Sequence, residues 1–244
     1  MAARKKSKIP IPSGVEHALD TALDKALAVQ RPVVLGYLER TRARHPDVTP
    51  EQLVRQLERR YVAAVVGIGG ASGAAAAVPG AGTAASIASG AAEITAFVSA
   101  SALFVLALAE LHGVPVSDPD VRRALVVAVL VGEGGEAVLA GTAHETAHWA
   151  QVLGRGVSRE KITSINGRLG RLLLTRFGAR QGALLFGRAL PLGIGAGVGA
   201  AGNAALARGA ISAARKAFGP APRKFPPRVI DAVSEKSPRR TRQN

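Results

Sequence analysis

Residues 61–109, YVAAVVGIGGASGAAAAVPGAGTAASIASGAAEITAFVSASALFVLALA, contain one charged side chain, Glu93. Apolar and small residues follow one another here without the strict alternation of a half-buried strand, and the run is far too long for one strand, so it reads as helix. Val78-Pro79-Gly80, followed by Gly82, breaks it. Proline removes a helix donor and glycine ends a helix easily, so one helix is expected to stop near Ala77 and another to run from about Thr83 to His112. Two long apolar helices joined by a short break set the expected fold class: an all-α, Gly/Ala-rich bundle of packed helical hairpins with disordered basic termini.

The same signals extend outward. Upstream, Thr49-Pro50-Glu51-Gln52 offers an N-cap, a proline at the first helical position and a Gln at the third, the start of a helix that carries Leu53, Val54 and Leu57 inward. Before it, residues 15–30 place Val15, Leu19, Ala22, Leu23, Ala26 and Leu27 on one face, and a short segment follows from Val33 to Arg44. Downstream, Ser117-Asp118-Pro119 caps an almost wholly apolar helix through Val131. Ser158 or Thr163 opens another, with Ile162, Ile165, Leu169, Leu172 and Leu173 on one side and Arg168, Arg171 and Arg176 on the other, ending or bending at Gly178. A last pair covers Gln181 to Phe218 with an interruption near Pro191. The expected organisation is a basic tail at 1–13, a helical domain at 14–219 and a basic tail at 220–244.

Composition narrows the function. A chain of 244 residues suffices for one domain with a real core, and the absence of cysteine excludes disulfides and thiolate chemistry. The N-terminus carries Arg4, Lys5, Lys6 and Lys8 but then Pro10, Pro12 and Gly14, not the apolar core of a secretory signal. The net charge of +15 is concentrated: residues 155–244 hold 18 basic and 3 acidic side chains, whereas 61–154 hold 2 and 7. From Lys161 to Arg228 there are twelve Lys or Arg and no Asp or Glu. A basic rim around a small-residue apolar run points to an anionic membrane surface, with Arg168, Arg171, Arg176, Arg180, Arg188, Arg215 and Lys216 as the attaching cations. The uncharged runs 94–109 and 189–207 are borderline against the roughly 20 apolar residues that cross a bilayer. In the second of these, Gly193, Gly195, Gly197 and Gly199, followed by Asn203, have the spacing that lets helix backbones approach closely.

Several strings in order, Val78-Pro79-Gly80-Ala81-Gly82-Thr83, Ala109-Glu110-Leu111-His112-Gly113-Val114, Asp118-Pro119-Asp120-Val121-Arg122-Arg123, Arg176-Phe177-Gly178-Ala179-Arg180-Gln181-Gly182 and Leu190-Pro191-Leu192-Gly193, resemble the EcsC family of bacterial helical proteins. The resemblance spans roughly residues 50 to 220. It implies a protein on the cytoplasmic side of the cell membrane, peripheral or partly inserted; a membrane protein such as a transporter and a second copy of the chain are the further partners expected. It implies no cofactor and no reaction.

Three other readings carry chemistry. His144-Glu145-Thr146-Ala147-His148, on one helix, sets two histidines at i and i+4, as zinc requires, with Glu145 as general base of a hydrolase or peptidase. A catalytic zinc needs a third protein ligand, and no histidine follows His148. Tyr61 to Gly73 imitates a strand entering a dinucleotide loop, with Glu93 as the later acid, but Glu93 sits in an Ala-rich run that reads as helix, where it is a packing group. The basic C-terminal half also suits non-specific nucleic-acid binding, though no aromatic interleaves the arginines of 168–188 beyond Phe177 and Phe186 in a way that builds a stacking platform. The balance favours a non-catalytic accessory protein at a membrane.

Overall fold

The computed structural model describes residues 13–28, 30–76, 83–140, 148–155, 157–188 and 194–227. Among them the chain is all-α, with nine helices and no strand. These are α1 (Ser13–Ala28), α2 (Gln30–Arg44), α3 (Pro50–Ala76), α4 (Thr83–Leu111), α5 (Pro119–Val131), α6 (Glu133–Ala140), α7 (Trp149–Gly154), α8 (Arg159–Arg188) and α9 (Ile194–Phe218).

Local chemistry accounts for the boundaries. Thr49 and Gln52 bond reciprocally at the start of α3: the Thr49 amide donates to Gln52 Oε1 at 2.9 Å, and the Gln52 amide to Thr49 Oγ1 at 3.2 Å. Asp118 Oδ1 accepts from the amides of Asp120 at 2.7 Å and Val121 at 3.3 Å, capping α5, with Pro119 where no amide is needed. Gly113, at φ 66°, lets Val114 donate to the Ala109 carbonyl at 2.9 Å and close the end of α4. Pro32 lies in the first turn of α2 and does not precede it, because first-turn amides have no intrahelical acceptor to lose. α3 continues unbroken through Gly67, Gly69 and Gly70, in keeping with the helical reading of this run and not with a dinucleotide loop. α8 likewise passes Gly178 without ending.

α4 and α5 form the centre. Residues 104–111 of α4 and 124–131 of α5 are buried at every position, the pattern of helices surrounded on all sides. α4 packs against α1, α2 and α3, while α8 covers α5 and α9 lies along α3. The stretch Ala92–Leu111 is long and apolar enough to cross a membrane, with a mean hydropathy of 2.0, yet 72% of its most apolar window is buried inside the fold. It serves here as the core helix. The chain does not leave the domain at Gly219: Phe225 packs against the core, and the Arg42 guanidinium lies 4.4 Å from its ring centroid. The first part of the segment expected as tail therefore belongs to the fold, and residues beyond 227 lie outside the described ones.

Candidate functional site: the cationic face of α8

Ser158 precedes α8, its Oγ accepting from the Lys161 amide at 3.4 Å, and Glu160 sits in the first turn. From there Ile162, Ile165, Leu169 and Leu173 recur at three- and four-residue steps and are 3% exposed or less. They bury the helix against α5, each side chain contributing about 1.5–3 kcal/mol. The Asn166 amide adds a hydrogen bond of 3.1 Å to the Asp120 carbonyl. This docking turns Lys161, Ser164, Arg168, Arg171, Leu172 and Thr175 to the outside.

Leu172 departs from the sequence reading, which places it in the buried stripe. It is 37% exposed, beside Arg171. A residue three positions beyond Leu169 and one before Leu173 lies at the edge of their stripe, and the partner helix decides which side of that edge it takes. The outcome is a helix face with cations around a single leucine.

The seven expected surface cations divide. Arg168 and Arg171 are exposed and make no ion pair among the described residues. Arg176 instead turns into the fold and donates to the Val131 carbonyl at the end of α5. Arg215 forms a two-pronged pair with Glu58, 2.7 Å from each guanidinium nitrogen to its carboxylate oxygen, tying α9 to α3. That hydrogen bonding holds the Arg215 pKa above its usual value. Lys216 lies 3.3 Å from Glu136. Three of the cations thus also make contacts within the fold, while remaining exposed. The side chains of Arg180 and Arg188 lie outside the described ones. Lys161, exposed on the same face, was not singled out in the sequence although its spacing from Arg168 is two helical turns.

The glycine ridge also redistributes. Gly193 lies outside the described residues, Gly195 is in the first turn of α9, and Gly197 is exposed, with nothing within 4 Å of an added Cβ. The close contact falls further along, where the Gly199 carbonyl and Asn203 of α9 meet Gly69 of α3. Asn203 is 1% exposed and donates to the Val65 carbonyl at 3.1 Å and to Glu93 Oε1 at 3.4 Å. Ser72 Oγ donates to Glu93 Oε2 at 2.8 Å. Glu93 is therefore a polar tie among α3, α4 and α9. Nearby on α3 and α4, Tyr61 stacks on Phe104 at 4.5 Å and lies 2.8 Å from Ser101 Oγ, and burial pushes its phenol pKa up to about 12.

Residues 144–147, and with them the His144–His148 pair, lie outside the described ones. The His148 backbone, at φ −60° and ψ 122°, precedes α7 as the cap position. His148 Nδ1 lies 3.3 Å from the Lys216 carbonyl, and its ring presses on Gly219. Among the described residues no three His, Asp or Glu side chains gather as a metal site would.

Comparison with protein-family models, with curated proteins and with solved structures finds no match to this chain.

Proposed function

We propose that the protein is a non-catalytic accessory protein that attaches peripherally to an anionic membrane, at the cytoplasmic face of the cell membrane, through the exposed face of α8. The supporting observation is the juxtaposition of unpaired, exposed Arg168 and Arg171 with exposed Leu172, continued by Lys161. Cations near an anionic leaflet contribute about 1 kcal/mol each, so Lys161, Arg168 and Arg171 together supply about 3 kcal/mol, reversible attachment and not an anchor. Leu172 adds a small apolar insertion. Most of the apolar stretch of α4 is occupied by the core. The resemblance to the EcsC family leads to the same placement.

The test is binding to vesicles containing an anionic phospholipid, comparing the full chain with Arg168→Gln/Arg171→Gln. The double variant should bind about 30-fold more weakly, from about 1 kcal/mol per cation, with an unchanged melting temperature because both side chains face solvent. Undiminished binding by a variant that folds normally would remove α8 as the attachment face.

A further inference from the structure

α2, α3 and α4 enclose a groove of about 300 Å³ with an almost wholly apolar lining, and α8 contributes nothing to it. Its floor includes Ala100, and two of the three exposed large hydrophobic side chains among the described residues, Val33 at 44% and Leu103 at 36%, lie on its walls. Both α3 and α4 line it with residues seven apart, two helical turns or roughly 10 Å, so the space is a short slot.

The polar part of the lining comes from Tyr37, Arg40 and Arg60. Arg60 places its guanidinium carbon 5.1 Å from the ring centroid of Tyr37, and Arg40 lies one turn beyond Tyr37 on α2. Both arginines line the groove, and neither makes an ion pair among the described residues. The Tyr37 hydroxyl, in the same group, is buried without a hydrogen-bond partner there. Val33 lies one turn the other way along α2.

An apolar slot rimmed by two exposed guanidinium groups is complementary to a molecule with a hydrocarbon tail and an anionic head. Its volume stands at the lower limit of small-molecule pockets, which excludes a second folded element lying inside it. Bidentate carboxylate recognition is what a guanidinium provides and an ammonium does not. We propose that this groove binds one unbranched fatty acyl chain of medium length as the free acid, with Arg40 and Arg60 holding its carboxylate and Val33, Ala100 and Leu103 its tail.

The experiment is isothermal titration calorimetry of the full chain with dodecanoate below its aggregation concentration, and with dodecanol as the uncharged comparison. Dodecanoate should bind saturably at one site, and dodecanol at least 10-fold more weakly. Arg40→Gln/Arg60→Gln should weaken dodecanoate at least 10-fold and leave dodecanol unchanged. Ala100→Phe should fill the slot and remove binding of both. Val33→Asp, at an exposed edge, does the same by charge and stands in if the Phe variant does not fold. Arg168→Gln/Arg171→Gln should bind dodecanoate as the unaltered chain does, so failure of the α8 reading leaves this one intact. No saturable binding of dodecanoate, or equal affinity for dodecanol, would overturn the proposal. So would a dimer in light scattering that Val33→Asp disperses, since a second copy would then cover the groove.

Discussion

A Cβ added to Gly69 would lie 2.3 Å from Asn203 Nδ2 and 2.6 Å from the Gly199 carbonyl, whereas one added to Gly70 would meet nothing within 4 Å. The obstruction at Gly69 is partly backbone and cannot swing aside, so Gly69→Ala forces α3 and α9 apart, an overpacking that costs about 1–3 kcal/mol. Gly70→Ala removes the flexibility of a mid-helix glycine at no steric cost and should stabilise by about 0.4–1 kcal/mol. Thermal melts of the two variants should therefore shift in opposite directions, each kcal/mol moving the midpoint by about 2–4 °C. Equal shifts would mean that α9 does not cross α3 at this point. The glycine-rich composition was readable in the sequence, but the glycine that makes the contact was not. A helix presents glycines all round, and only the position of the facing Asn203 distinguishes residue 69 from residue 70.

Helix ends were legible because their causes are local: Thr49 with Gln52 and Asp118 with Pro119 each act within a few residues. The roles of cations on those helices depend on distant partners. Arg215 meets Glu58 across a separation of 157 residues, and Arg123 meets Asp24 across 99 and Asp20 across 103. Arg176, which the sequence reading set opposite the leucine stripe, reaches the Val131 carbonyl across a separation of 45 residues. The junction of α4, α7 and α9 gives a pH dependence. His112 Nδ1 donates to the Leu108 carbonyl at 2.8 Å, its ring lies 5.2 Å from Phe218, and Nε2 is buried without a hydrogen-bond partner. Burial holds its pKa below 6.5, outweighing the Leu108, Gly219 and Pro220 backbone, and the neighbouring His148 acts in the same direction as burial. Below pH 6.5 the unfolded chain takes up a proton that folded His112 refuses, so stability is fully present above that pH and falls as the solution is acidified. The melting temperature should drop on acidification from neutral, and the drop should shrink in His112→Gln. An equal drop in both proteins would assign the acid sensitivity elsewhere.

On the scale of the whole molecule, composition and helix pattern led to the all-α class and to most element boundaries, since an uncharged run such as 94–109 cannot be left in water. They did not decide whether that run faces lipid or protein, because both are apolar and only packing by α1, α2, α3 and α5 supplies the answer. With most of α4 packed inside the fold, the +15 charge is the attractive force toward a surface in the proposed attachment. Such a force is screened over about 8–10 Å in ordinary salt and over about 3 Å at 1 M. The most direct measurement of the proposed attachment is co-sedimentation with anionic and neutral vesicles across a salt series. Peripheral attachment through α8 predicts retention on anionic vesicles that is lost as salt approaches about 1 M, with little retention on neutral ones. Retention that resists salt and yields only to detergent, or tighter binding to duplex DNA than to anionic vesicles at physiological salt, would contradict it.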